Sequence, residues 1–213
     1  MPPITPDEID ETIEGHLSPT NKSPYDRKFI DGGADPYTIY LYCWDIVDET
    51  PGQEQKPRGF KLEYDRPILN QVMLIRLINE EAQRLVHSDE EPDGIGFDGF
   101  DYRRKSFIVI LLTDRHWLFP EGKAIVFDET KGWGNHTFFN AFHPEVSIEE
   151  NGAERPIPAL CFTNWMADAY GRPLHDNQRE SFHYILFPVG GVRALMAEID
   201  PGGNNLGPPI APP

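Results

Sequence analysis

The chain has 213 residues, 39% hydrophobic and 12% aromatic, which is too much buriable surface for a disordered polymer and enough for one packed domain. With 35 Asp plus Glu against 19 Lys plus Arg, the formal net charge of −16 disfavours a duplex nucleic acid as partner unless cations gather on one face. The one dense basic run, Arg103-Arg104-Lys105, follows Asp98 and Asp101 and reads as a solvated turn.

The first residues, Met1 to Glu8, lack a basic stretch followed by an apolar one, and no apolar run reaches bilayer length, so neither secretion nor a membrane is expected. Cys43 and Cys161 each sit in an apolar run, as buried reduced thiols of a cytoplasmic protein do.

Thr5-Pro6-Asp7-Glu8 has the form of a helix start, and Ile9, Ile13 and Leu17 recur at four-residue intervals behind it. Residues 1–36 are therefore expected to hold a short helix and a linker. A single β-rich domain is expected over 37–199, followed by a Pro/Gly-rich extended tail at 200–213. Tyr37 to Ile46 is aromatic and β-branched and predicts a strand, and Phe60 to Tyr64 alternates as a half-buried strand does. From Pro67 to His87 the period changes. Ile68, Val72, Ile75, Ala82, Leu85 and Val86 fall on one side and Arg76, Asn79, Glu80, Gln83 and Arg84 on the other, which predicts the main helix. A buried strand over 72–78 is the competing reading.

After the acidic stretch from Asp89 to Asp101, Phe107 to Leu112 and Ala124 to Phe127 are apolar enough for strands buried on both faces. Weaker strand candidates are Phe138 to Phe142, Glu145 to Glu149 and Pro158 to Phe162. The clearest hairpin reads as Phe182 to Val189, a Gly190-Gly191 turn, and Val192 to Ile199, which would set His183 opposite Glu198. A short helix over 192–199 is its rival. The fold expected is α+β and mainly antiparallel, a sandwich or curled sheet with one main helix packed on a sheet face.

Three groups of residues carry possible chemistry. Asp114, Glu129 and Lys131 follow two strands, where carboxylates can hold a divalent metal and a Lys can stabilise charge on a phosphate. This set resembles the PD-(D/E)xK nuclease pattern, which implies metal-dependent hydrolysis, although no Pro precedes Asp114. His136, His143, His175 and His183 form a second set, for a metal or for proton transfer. His136 and His143 differ by seven, so a regular strand would put them on opposite faces. Asp89, Glu91, Asp93 and Gly94 imitate the first half of a calcium loop, but Phe100 stands where the bidentate Glu is due.

Aromatic and polar residues concentrate between 133 and 183. Trp133, Asn135, His136, Asn164 and Trp165 are the residues expected to contact a ligand or partner. Signature motifs for nucleotide binding, zinc proteolysis and serine hydrolysis are absent. The leading expectation is a non-catalytic binding or assembly module of an intracellular complex, with a protein partner or a second copy. The alternative is a metal-dependent hydrolase. No cofactor is assigned beyond the divalent metal which that alternative requires.

Overall fold

A computed structural model describes residues 37–46, 57–65, 68, 70–93, 100–102, 106–122, 124–127, 138–164, 178–184, 186–189 and 202–205. The N-terminal helix expected after Thr5, and the second arm of the Gly190-Gly191 hairpin with Glu198, lie outside the described residues.

The most apolar run of the chain organises the rest. Ser106–Leu112 forms β4, and all seven of its residues are buried. A strand covered on both faces has no polar side, which is why the run does not alternate. It lies at the centre of a five-stranded sheet of order β2-β1-β4-β10-β7, with β1 at Tyr37–Trp44, β2 at Arg58–Tyr64, β7 at Phe138–Phe142 and β10 at Ala159–Asn164. β1 and β4 are parallel, and the other pairings in this sheet are antiparallel. A parallel pair needs a crossover, and here the chain between them supplies β2 and the helix.

The registers Leu41↔Val109↔Cys161 and Tyr42↔Ile110↔Leu160 divide the sheet into two faces. One face presents Ile39, Leu41, Cys43, Phe107, Val109, Leu111 and Cys161 to a helix, α1 at Gln71–Val86, and to a hairpin of β8 (Val146–Glu150) and β9 (Ala153–Ile157). The other presents Tyr40, Tyr42, Trp44, Ile110 and Phe162 to Trp117, Phe119, Ile125, Tyr184 and Leu186. Those last residues belong to a second layer. It contains a sheet of order β3-β13-β11-β6 and a two-stranded pairing of β5 with β12. Its strands are β3 (Phe100–Tyr102), β5 (Trp117–Leu118), β6 (Ile125–Phe127), β11 (Gln178–Tyr184), β12 (Phe187–Pro188) and β13 (Gly202–Asn205). The expected α+β, mostly β class is the observed one.

Four details differ from the sequence reading or refine it. The buried stripe of α1 is Leu74, Ile78, Ala82 and Leu85, and Val72 is 77% exposed. Val72 sits about 200° around the helix from Leu74 and so lies off the stripe. The described helix begins at Gln71 behind its N-cap Asn70, whose Oδ1 accepts the Met73 N–H at 2.8 Å, inside the range expected from Pro67. The strand expected from Phe182 to Val189 is interrupted: β11 ends at Tyr184, Leu186 is buried in the core, and β12 pairs Phe187 with Leu118. His183 lies opposite Val126 on the edge of β11 that the structure describes. Gly202–Asn205, expected to extend as part of a tail, pairs with β11 and β3. Backbone groups alone make those ladders, so a Gly-rich stretch can enter them without apolar side chains.

The hairpin turn observed is Asn151-Gly152, with φ values of 54° and 76° and Glu150 paired to Ala153. Two consecutive positive φ angles define the two-residue turn that matches strand twist, and Asn-Gly is the pair best suited to it. On the far side of the sheet, Asp93 lies on the outer edge of β2. Its N–H donates to the Gly59 carbonyl at 2.9 Å and its Oδ2 accepts the Lys61 N–H at 2.5 Å. That carboxylate oxygen, one of those the calcium-loop reading needs, serves the strand edge.

Candidate functional site

The helix and the β8–β9 hairpin are fastened to each other by a polar row. Asn79, Gln83 and His87 recur every four residues, a rise of about 6 Å, and alternate residues of a strand advance by about 6.8 Å. The two periods match closely enough for helix side chains to pair a strand edge. Asn79 Nδ2 donates to the Glu145 carbonyl at 2.9 Å, and its Oδ1 accepts the Ser147 N–H at 3.0 Å. Gln83 Oε1 accepts the Glu149 N–H at 2.6 Å, and His87 Nε2 lies 3.1 Å from the Glu149 carbonyl, to which it donates. Residues whose polar period reads as a solvated face thus take the place of a strand beside β8.

Beside this row opens a groove of about 1050 Å³. The connection from β7 to β8 and the segment from β9 to β10 form two walls, and Asn79 and the Phe119–Gly122 turn close the sides. Its apolar surface comes from Phe119, Phe142, Pro144, Ile157 and Pro158, and Glu121 and Glu145 stand exposed in its lining. At that size it slightly exceeds the range of about 300–1,000 Å³ usual for small-molecule pockets.

His143 is the histidine that the structure brings into this groove. Its Nδ1 lies 3.0 Å from the Ala159 carbonyl, so Nδ1 carries the proton and Nε2 is the basic nitrogen. Burial holds its pKa below the ordinary 6.5, against the smaller opposing pulls of the Ala159 carbonyl and the Glu121 charge. In the unfolded chain the imidazole titrates at its ordinary value, so the neutral folded form is favoured above 6.5. As pH falls from there through the folded value, the unfolded state takes up the proton first and stability is lost. Wild-type protein is therefore expected to lose stability relative to His143→Gln between about pH 7.5 and pH 5 in denaturant titrations. Parallel curves for the two proteins would show that His143 is as well solvated folded as unfolded.

Asp114, the first member of the nuclease-like set, is buried. Its Oδ1 accepts the His116 N–H at 2.6 Å and the Trp117 N–H at 3.0 Å, and its Oδ2 accepts the Ile46 N–H at 3.3 Å. The carboxylate therefore ties the end of β1 to the turn after β4. Glu129 and Lys131, and Trp133, Asn135, His136, Trp165 and His175, lie outside the described residues. Asn164 ends β10 opposite Ser106 and Phe138. His183 is in β11, in the second layer, whereas His143 follows β7 of the central sheet. Among the described residues no three His, Cys, Asp or Glu side chains converge as a metal site would require.

A smaller cavity of about 400 Å³ is lined by Cys43, Asp45, Arg58, His87, Glu150 and Arg155, among others. Its cations hold the fold together. Arg58 donates to the Ser88 and Val86 carbonyls at 3.3 and 3.2 Å, at the end of α1, and Arg155 to the Thr113 carbonyl at 3.1 Å. Glu150 accepts from Arg115 at 2.6 Å and lies 2.7 Å from Arg155 Nε. The bond from Arg115, then the nearby Arg155 charge, hold its carboxyl below the ordinary range. Cys43 and Cys161 are both free and buried. Their strands flank β4 on opposite sides, about two strand spacings apart, too far for a disulfide without backbone movement. Burial pushes the Cys43 thiol up to about 11 and raises Cys161 as well, so neither is a ready nucleophile.

Sequence reasoning missed Asn79, Phe119, Glu121 and Pro158 as groove residues. They come from three separate parts of the chain, α1, the turn after β5 and the connection from β9 to β10, and no local pattern joins them. No helix among the described residues is long and apolar enough to cross a membrane. In comparisons with known proteins, the chain matches no family model and no curated protein.

Proposed function

We propose that this chain is a non-catalytic binding or assembly module of an intracellular protein complex, and that the groove beside His143 is its partner surface. The observation carrying this reading is the groove itself: open, at the upper end of the size of small-molecule pockets, and lined by aromatic, proline and carboxylate side chains from the ends of strands and the connections between them. It lies within the stretch expected from sequence to contact a partner, 133–183, and draws Asn79 and Phe119–Gly122 in from outside it. The hydrolase alternative is less well supported. Asp114 is buried and accepts three backbone N–H groups that tie the end of β1 to the turn after β4, a structural task that accounts for its carboxylate without a metal.

Site-specific photo-crosslinking tests the proposal. A photoreactive side chain that retains a carboxylate replaces exposed Glu145 in the groove, and in a control chain replaces exposed Glu63 on β2, at the other edge of the sheet. The expected result in extract of cells that express the chain is one defined protein adduct from position 145, re-formed by the purified partner with saturable binding. No adduct at 145, or equal adducts from both positions, would refute the assignment of the groove.

A further inference from the structure

We infer that the occupant of the groove is an extended segment of a partner protein carrying lysine or arginine, with apolar side chains spaced between the cations. The inference rests on the binding-module reading and deepens it by assigning the chemistry of the partner.

Two features of the lining combine to select such a segment. The walls are apolar, through Phe119, Phe142, Pro144 and Ile157, while Glu121 and Glu145 are exposed on different chain segments, one in the turn after Phe119 and the other before β8. Among the described lining residues there is no Lys or Arg. The nearest basic residue in sequence to the Pro156–Ala159 wall, Arg155, is engaged with the Thr113 carbonyl and Glu150. Burial keeps the His143 imidazole neutral at pH 7, so it adds no positive charge. A cationic chain seated in the groove would therefore find two carboxylates, on separate chain segments, and apolar surface in the same lining. The field of a protein with net charge −16 would speed its approach. An anionic segment would meet the same two carboxylates and the same field as repulsion.

The mixed lining and the volume of the groove, about 1050 Å³, also favour a chain over a small cation. An ammonium or guanidinium ion alone satisfies Glu121 or Glu145 and leaves the apolar wall hydrated, whereas a peptide covers both. Part of the wall, Ala141 and Phe142 of β7 and Val146, Pro156 and Ile157 of the β8–β9 hairpin, stands on strands that are already paired, which limits the ordering that binding must supply there.

The test uses the full-length protein and two fluorescent synthetic peptides with the same leucine and proline content, one carrying lysines and one glutamates. Binding is read by fluorescence anisotropy at rising salt. The lysine peptide is expected to bind saturably, to weaken as salt rises, and to lose affinity about tenfold in the Glu121→Lys, Glu145→Lys double variant. A double variant at Glu63 and Glu90, exposed residues outside the groove lining, is expected to match wild type, and circular dichroism confirms that both variants are folded. Preferential binding of the glutamate peptide would overturn the charge assignment while leaving the binding-module reading standing. Equal loss in both double variants would place the effect in the overall field and overturn the groove as its origin. If neither peptide binds while position 145 still crosslinks a partner, the occupant is not a peptide segment and the inference fails alone. Failure of both experiments removes the binding-module reading as well.

Discussion

Replacing Phe162 with alanine is expected to destabilise the protein by about 3–5 kcal/mol, far more than a truncation at the surface. The side chain is fully buried in β10 on the face that meets the second layer. Its ring lies 6.4 Å from that of Tyr184 at an interplanar angle of 52°, and Tyr184 in turn lies 6.5 Å from Trp44. Removing it opens a cavity between two layers that hydrogen-bonded strands prevent from collapsing, so lost contacts add to lost burial. For a chain of this length the melting temperature should fall by about 6–20 °C. Val72→Ala, at the exposed position on α1, is the matching control and should change stability by under about 0.5 kcal/mol. A small loss at Phe162 together with a large one at Val72 would mean that the layers are wrongly assigned.

The second large effect is expected at Asp114. Its carboxylate accepts three backbone N–H groups from two parts of the chain, Ile46 after β1 and His116 with Trp117 at the start of β5. Alanine leaves these donors to find water or remain unpaired, and about 2–4 kcal/mol should be lost. Asparagine keeps one carbonyl oxygen for the pair at His116 and Trp117 but sets an amide N–H against that of Ile46, so an intermediate loss is expected. A metal-ligating Asp114 predicts another pattern. Asparagine would then abolish binding of Mg²⁺ or Mn²⁺, measured by calorimetry, while leaving the denaturation midpoint almost unmoved. The two experiments on one pair of variants separate a structural carboxylate from a catalytic one.

How much of this is legible in the sequence depends on whether a signal is local. β4 is legible because six consecutive apolar residues can only be covered on both sides. The extent of α1 is legible from its period, but its buried stripe is not. Val72 fits an apolar face when counted alone, and only packing shows that Leu74, Ile78, Ala82 and Leu85 face the sheet. The Asn151-Gly152 turn carries the stronger hairpin chemistry, yet Gly190-Gly191 stands out in sequence because apolar runs flank it. β9, Ala153–Ile157, has a proline and one buried residue and does not resemble a strand by composition. The row of Asn79, Gln83 and His87 reads as solvated because polar periodicity is the same whether water or a strand edge accepts it. Of the candidate site, Phe142, His143 and Glu145 are legible as residue types in one aromatic and polar stretch, whereas Asn79, Phe119 and Ile157 are not, since they meet it only in the folded chain.

Asp93, seated on β2, bears on what kind of assembly this protein can enter. An unpaired outer strand is a template on which further chains can stack, and repeated stacking gives fibres. Here the Gly59 carbonyl and the Lys61 N–H, two consecutive rungs of that template, are already taken by Asp93. The groove, by contrast, is lined by Ala141 and Phe142 of β7, the strand at the other end of the same sheet. The two ends of the sheet are therefore unlike: under the function proposed above a partner would dock beside β7, and the β2 end, with those two rungs occupied, could not repeat the pairing of a free edge there.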